Sequence, residues 1–398
     1  MLKGKFVILG VTGSIAAYKS ATLASMLVKA GCTVQVIMTK NATNIINPIT
    51  FETLTGRKCL VDTFDRNFEF SVEHVSIAKQ ANLFIIAPAT ANVIAKIANG
   101  LADDMLTTTF LASDCQKLIA PAMNTRMLEN PITQDNLKKC AGYGMKIIDC
   151  TSGHLACGDN GKGKLAEPAD LFDFIENAIS REKDLAGKKI LVTAGPTQEA
   201  LDPVRYITNH STGKMGYAIA KVASSRGASV TLVSGPVNLK DIPFVKTIHV
   251  VSASQMAEAV KKEFENTDIV IKAAAVADYR PAKISDEKIK KHDGDSILNL
   301  ERTEDILSYL GKNKKPNQII CGFSMETQNV LENSKAKLEK KNLDMICANS
   351  LRTEGAGFGT DTNIVTIITK DKITELEKMS KEDVAEKILD AIIHDIQK

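Results

Sequence analysis

Short apolar runs that end in Gly, Pro or Thr recur along the whole chain, with amphipathic segments of helical spacing between them, and this alternation leaves few folds open. Phe6 to Gly10, Val34 to Thr39, Leu83 to Ala87, Leu118 to Ala120 and Met145 to Ile148 read as strands. They are apolar on both faces, as suits a parallel sheet covered by helices on each side. Pro168 to Ile179 has the spacing of a terminal helix, and the polar stretch Arg181 to Lys189, with Gly187, predicts a linker. The pattern then restarts with strands at Ile190 to Thr193, Val230 to Val233, Ile248 to Val251, Ile269 to Ala273, Ile319 to Phe323, Met345 to Ala348 and Ile364 to Ile368. A helix over Lys381 to Ile396 closes it. Single cores stop growing near roughly 250–300 residues, so the 398 residues predict two α/β domains, spanning 1–181 and 187–398, without a residue-level repeat.

Composition narrows the partners. The net charge is only +3, too small a field to gather nucleic acid or an anionic membrane surface, so small molecules are the expected ligands. There is no uncharged apolar stretch of the roughly 20 residues that a membrane span requires, and Met1 to Gly10 reads as a first strand. The eight cysteines lack the paired close spacings of a zinc site or redox dithiol, so reduced thiols in a soluble cytoplasmic protein are expected.

In the N-terminal half, Gly10-Val11-Thr12-Gly13-Ser14 leads from the first strand into a helix near Ile15. Glycines permit close backbone approach and the N–H groups of a helix start attract phosphate, although tight turns without any ligand use the same residues. A dinucleotide site would place a carboxylate after the second strand to hold the ribose. Here that strand ends in Met38-Thr39-Lys40, which favours a mononucleotide such as FMN over NAD. The third and fourth strands end in Ala87-Pro88-Ala89-Thr90-Ala91-Asn92 and Ala120-Pro121-Ala122-Met123-Asn124, small and polar turns at the edge where open α/β sheets bind ligands.

These turns, with Gly13-Ser14-Ile15-Ala16-Ala17-Tyr18-Lys19, His74, Ala102-Asp103-Asp104 and Leu155-Ala156-Cys157-Gly158, occur in the order found in the homo-oligomeric flavin-containing cysteine decarboxylases, which residues 3–180 resemble. The resemblance implies a flavodoxin-like doubly wound parallel sheet with FMN at a subunit interface. It implies flavin contacts from Gly13, Ser14, Ile15, Thr39, Thr90, Ala91 and Asn92. It assigns His74 to the reacting centre, Asn124 to the substrate carboxylate and Cys157 to a flap where it donates a proton. An acylated cysteine has no electron sink for decarboxylation, and oxidation of its thiol to a thioaldehyde creates one; flavin chemistry, by resemblance, performs that oxidation. Gly161-Lys162-Gly163-Lys164 departs from the family, which often has Arg after the second glycine, and the two cations are not equivalent at bidentate sites.

In the C-terminal half, Thr193-Ala194-Gly195-Pro196-Thr197 follows a strand, and Asp202 to Gly216 contains Gly213-Lys214. A P-loop is rejected, because position 208 is Thr and Met215 stands where a hydroxyl should bind magnesium. Together with Ala273 to Tyr279, Glu287 to Lys291, Gly322-Phe323, Glu326-Thr327 and Lys337 with Lys341, the segment resembles the phosphopantothenate-cysteine ligases over about residues 188–370. The resemblance implies a Rossmann-like α/β ligase domain that activates a carboxylate as an acyl-cytidylate. It implies CTP contacts from Ala273, Ala274, Ala275, Asp278, Lys288, Asp305, Ile306, Phe323, Lys337 and Lys341. It assigns catalytic roles to Asn209 and Lys288 and implies Mg2+ on the phosphates, its protein ligands unassigned. Arg302-Thr303-Glu304-Asp305-Ile306 departs from the Lys-Asn-Pro-Asp-Ile common in that family.

The two resemblances together imply a fused enzyme that makes 4'-phosphopantetheine for coenzyme A, built as a homo-oligomer with a trimer-based decarboxylase core and dimeric ligase domains. A decarboxylase of peptide C-terminal cysteines would leave the second domain without purpose. A non-catalytic protein on the same scaffold would be expected to have lost His74, Asn124 or Cys157.

Overall fold

The computed structural model describes residues 2–63, 73–154, 158, 160–290, 297–326, 329–350 and 359–396. The chain forms two compact units, Met1–Arg181 and Glu182–Lys398. The first runs β1 (Phe6–Val11), α1 (Ala17–Lys29), β2 (Thr33–Met38), α2 (Pro48–Thr55), α3 (Glu73–Gln80), β3 (Leu83–Ala89), α4 (Ala91–Ala98), α5 (Met105–Ala112), β4 (Gln116–Pro121), α6 (Thr125–Glu129), α7 (Pro131–Gly142), β5 (Lys146–Ile147), β6 (Thr151–His154), β7 (Asn160–Lys164) and α8 (Pro168–Ile179). Strands β1 to β5 form one parallel sheet in the order β2-β1-β3-β4-β5, the flavodoxin-like arrangement.

Every residue of β1 and of β3 is buried, because helices cover both faces of the sheet. In α8, Leu171, Phe174 and Ile175 recur at helical spacing on the buried face, each stabilising the unit by about 1.5–3 kcal/mol. Phe84 of β3 meets Phe110 of α5 edge to face at 5.0 Å. The hairpin β6–β7 went unread in the sequence: Thr-Ser-Gly-His against Asn-Gly-Lys-Gly-Lys has no apolar alternation, and its strands are placed by contacts with the end of β4.

The second unit runs β8 (Lys189–Ala194), β9 (Gln198–Ala200), β10 (Tyr206–Thr208), α9 (Lys214–Ser225), β11 (Ser229–Ser234), β12 (Lys246–His249), α10 (Ala253–Phe264), β13 (Ile269–Lys272), β14 (Tyr279–Pro281), β15 (Leu300–Arg302), α11 (Ile306–Lys312), β16 (Ile319–Glu326), α12 (Val330–Lys340), β17 (Met345–Ser350), β18 (Thr362–Asn363), β19 (Val365–Thr369), β20 (Ile373–Glu375), β21 (Met379–Ser380) and α13 (Lys381–Ala391). Its large sheet has the order β12-β11-β8-β13-β16-β17-β19-β20. The first six strands are parallel in Rossmann order, and β19 and β20 add antiparallel. The turn between β19 and β20 is too short for the crossover that parallel pairing needs. Alternate residues of β13 feed opposite layers: Ile269 and Ile271 pack toward α9 and α13, Val270 toward α10, α11 and α12.

Two boundaries differ from expectation. The stretch read as a linker is packed into the second unit, with Leu185 buried in its core and Asp184 accepting from Arg226 Nε at 2.9 Å. Edge strand β12 starts two residues earlier than its apolar run, because an edge strand is half exposed and tolerates Lys246 and Thr247. Among the described residues, no helix is long and apolar enough to cross a membrane.

Candidate functional site

In the first unit the strand order reverses between β1 and β3, the place where doubly wound sheets bind ligands. Thr12 locks the two turns there: its Oγ1 donates to Pro88 O at 2.7 Å and accepts from Thr90 N at 3.0 Å. A Cβ on Gly13 would lie 2.8 Å from Asn41 Cβ, so the glycine is demanded by the approach of the loop after β2. Gly13, Thr39, Thr90, Ala91 and Asn92 line one cavity of about 440 Å3, with Lys40 and Lys96. Among the described residues the Thr39 hydroxyl, buried at this cavity, has no hydrogen-bond partner, a state that costs free energy unless a ligand completes it.

Ser14, Ile15 and Asn124 line a second cavity, of about 360 Å3, with Lys19, His154 and Lys164. Asn124 Oδ1 accepts from Arg126 N at 2.8 Å and so caps α6. The hairpin forms the other wall. Met123 N donates to Gly163 O at 3.1 Å, and a Cβ on Gly163 would lie 2.2 Å from Met123 O. A Cβ on Gly161 would lie 2.4 Å from Thr125 Oγ1. Buried Lys19 pairs with Glu167 at 2.8 Å and donates to Leu165 O, tying the exit of β7 to α1 and holding the Glu167 carboxyl below the usual carboxylate range. His74, second residue of α3, is partly buried and lines neither cavity. Cys157 lies outside the described residues.

The second unit has its switch point between β8 and β13. Thr193 Oγ1 accepts from Ala274 N at 3.1 Å, Thr197 Oγ1 from Ala277 N at 3.0 Å, and Ala275 N donates to Gly195 O at 2.9 Å. The Ala273–Asp278 segment is thereby laced to the turn after β8. Asn209 Nδ2 donates to Ala275 O at 2.9 Å, fixing it over that segment. A Cβ on Gly216 would meet Ala194 Cβ at 2.5 Å and Thr193 O at 2.9 Å, so the first turn of α9 lies directly on β8. Ala273, Ala274, Ala275 and Phe323 line a cavity of about 150 Å3 with Ser211 to Gly216, Asn349 and Lys381. Asn349 Oδ1 is buried there with no partner among the described residues.

Asp278, Asp305, Lys337 and Lys341 gather beside β13, around Lys272. Lys341 pairs with Asp305 at 3.0 Å, and Asp305 Oδ1 also accepts from Ser308 N at 3.0 Å as the cap of α11. The segment that departs from the ligase pattern is still built into the fold, since Thr303 Oγ1 donates to Ala277 O at 2.6 Å and its N–H to Asp278 O at 3.0 Å. Ile306 is 2% exposed and its side chain packs in the core. Lys288 is exposed and lines no described cavity. Asp202 links its loop to the Asn209 segment, accepting from Val204 N and Arg205 N at 2.8 Å each and Ile289 N at 3.1 Å.

The chain is 49% identical over 397 residues to the coenzyme A biosynthesis bifunctional protein CoaBC of Bacillus subtilis (strain 168), covering 98% of this chain and 97% of that protein. It is 42% identical to the protein of the same name from Haemophilus influenzae, covering 100% and 99%, and 43% identical to that of Borreliella burgdorferi, covering 98% and 99%. The flavoprotein family model matches residues 1–180, and the DNA/pantothenate metabolism flavoprotein C-terminal domain model matches residues 185–396. The chain belongs to the CoaBC family of bifunctional coenzyme A biosynthesis proteins.

Several residues at or beside these cavities carry little signal in the sequence. Thr12 appeared only as part of a turn, and Asn349 and Lys381 carry no motif of their own. Lys272 had a signal, a single cation ending the otherwise apolar run Ile269-Val270-Ile271. Among the described residues no three His, Cys, Asp or Glu side chains converge as metal ligands.

Proposed function

We infer that this chain is a bifunctional enzyme of coenzyme A biosynthesis: the second unit joins 4'-phosphopantothenate to cysteine using CTP, and the first removes the cysteine carboxylate to leave 4'-phosphopantetheine. The observation that carries this reading is the union, in one chain matched along 98% of its length, of a flavoprotein unit and a DNA/pantothenate metabolism flavoprotein C-terminal unit.

The first unit suits FMN. Gly13, Thr39, Thr90, Ala91 and Asn92 share a cavity at the flavodoxin-like switch point, and the unused Thr39 hydroxyl offers it a hydrogen bond. Bound FMN supplies the oxidation and hydride return that let the carboxylate leave. Asn124 orients the substrate carboxylate from the adjoining cavity, and Cys157 donates a proton from the segment between β6 and β7. His74 serves the reacting centre of a neighbouring copy, since within one copy it lines neither cavity. Ile15, Tyr18 and Met127 are 63%, 61% and 50% exposed beside these cavities, apolar surface suited to burial between subunits of a trimer-based core with dimeric ligase units. Thr39→Val should weaken FMN binding roughly 5- to 10-fold, as expected for one hydrogen bond, while leaving apo-protein stability unchanged; a flavin titration checks it, and unchanged affinity removes Thr39 from the site.

In the second unit a carboxylate oxygen of phosphopantothenate attacks the α-phosphorus of CTP, pyrophosphate leaves, and the cysteine amine then displaces CMP from the acyl-cytidylate. Asn209 stands over the Ala273–Asp278 segment to hold that intermediate. Lys288, Lys337 and Lys341 offset the phosphate charge, with Lys288 drawn in from its exposed loop, and Mg2+ arrives on the nucleotide. The N-terminus of α9, where Gly213 provides no side-chain cap, combines with Lys214 and Lys381 to suit a phosphate group.

The test is a coupled assay with 4'-phosphopantothenate, cysteine, magnesium and either CTP or ATP, following pyrophosphate, CO2 and thiol products by mass spectrometry. Phosphopantetheine formed with CTP is expected. Phosphopantothenoylcysteine accumulating without CO2 would overturn the flavin site, and absence of pyrophosphate with either nucleotide would overturn the ligase.

A further inference from the structure

Strand β13 is apolar for three residues and ends in Lys272, in register with Thr193 of β8 and Gly322 of β16. Alternation along the strand sends its side chain to the face of Val270, toward α11 and α12. The charged groups that act on it from the elements packed there are Lys337 of α12, Lys341 at its C-terminal cap, Asp305 at the start of α11, and Asp278 in the segment after β13. Asp305 is engaged by Lys341, and Asp278 is exposed. Among the described residues the Lys272 amine forms no hydrogen bond or ion pair.

An amine taken partly out of water without a partner is costly, and burying a cation is tolerated chiefly where an anion completes it. Desolvation, with the nearby Lys341, lowers the Lys272 amine to about 8, against the opposing pull of Asp305 and Asp278. A surface-type lysine would point to water; this one points into the cluster of side chains read above as the nucleotide site.

We propose that Lys272 is a nucleotide-binding residue of the ligase unit, kept unpaired in the free protein so that its ammonium pairs with a phosphate oxygen of the triphosphate. The inference rests on the ligase reading and adds a contact to it. Three lysines against two aspartates leave the cluster with one excess positive charge, which suits a polyphosphate better than a neutral base or sugar. An incoming phosphate raises the affinity of Lys272 for its proton, so binding above about pH 8 takes up a proton and weakens as pH rises.

The experiment is calorimetric titration of full-length protein with magnesium and CTP, comparing wild type, Lys272→Met and Lys272→Arg at about pH 7 and about pH 9. Wild-type affinity should fall about tenfold between those values, whereas K272R, whose guanidinium stays charged, should bind equally at both. At about pH 7, K272M should bind CTP roughly 10- to 100-fold more weakly, with the KM for phosphopantothenate changed less than about twofold. Its melting temperature without nucleotide should be unchanged or higher, because removing an unpaired buried charge relieves desolvation, and the rise in melting temperature on adding CTP should shrink. A merely structural lysine would instead lower the nucleotide-free melting temperature. Equal CTP affinity in K272M and wild type overturns the proposal and leaves the ligase standing, as does a rise in the phosphopantothenate KM alone. A wild type that neither binds CTP nor releases pyrophosphate overturns the ligase reading itself. If K272M does not fold, the K272R pH comparison decides: an affinity that still falls between the two pH values overturns the proposal.

Discussion

Gly163→Ala is expected to slow CO2 release on the order of 100-fold and to weaken flavin retention while pyrophosphate release survives. The new Cβ would sit 2.2 Å from Met123 O, a backbone atom that cannot rotate away, and the residue's φ of +147° is strained for any L side chain. Relief requires the hairpin β6–β7 to withdraw by about 1 Å from the turn after β4, and a displacement of that size at a reacting centre costs on the order of 100-fold in rate. The same turn carries Asn124, and the hairpin supplies His154, Lys164 and the exit tied by Lys19, so the cavity wall moves as a whole. Gly142→Ala is the matched control, since a Cβ there meets nothing within 4 Å. It should leave flavin absorbance and both activities unchanged. Full decarboxylation by the Gly163 variant would show that the hairpin is not a wall of the site.

Gly216→Ala should produce the converse, loss of pyrophosphate release with flavin and decarboxylation of supplied phosphopantothenoylcysteine intact. Its Cβ would meet Ala194 Cβ at 2.5 Å, Thr193 O at 2.9 Å and Ala194 Cα at 3.0 Å, three atoms of a central strand. Overpacking of this kind costs about 1–3 kcal/mol, lowering the melting temperature of the second unit by about 2–10 °C. It also tilts the first turn of α9 away from the Ala273–Ala275 segment that Thr193 positions. Thermal melts followed together with pyrophosphate release separate the two effects. A variant with normal melting and normal ligation would mean that α9 has room to spare.

Much of the scaffold was legible because its signals are local. Buried parallel strands must be apolar on both faces, which is why β1, β3, β8, β13 and β16 stand out of the sequence as short apolar runs. The turns that end them carry small residues because backbone approaches backbone there, so Gly13, the Thr90–Asn92 turn and Ala273–Ala275 were recognisable from residue type and order. Other elements lacked such a signal. The hairpin β6–β7 is held by contacts with Met123 and Thr125, distant in sequence from most of its residues. Burial of the Ile306 side chain in the core, while its neighbour Asp305 caps a helix and pairs with Lys341, is likewise set by contacts distant in sequence.

By itself the sequence determined the class of each unit and the succession of the apolar strands in its main sheet, because strand periodicity and the need to bury apolar surface are written into neighbouring residues. Only the tertiary structure decided the rest: that Gly163 and Gly216 have no room for a methyl group, that His74 stands apart from both cavities of its own unit, and that, among the described residues, the Thr39 hydroxyl has no hydrogen-bond partner and the Lys272 amine no direct ion pair. Burial, clearance and charge pairing depend on distances between residues far apart in the chain, and those distances exist only after the sheets have assembled.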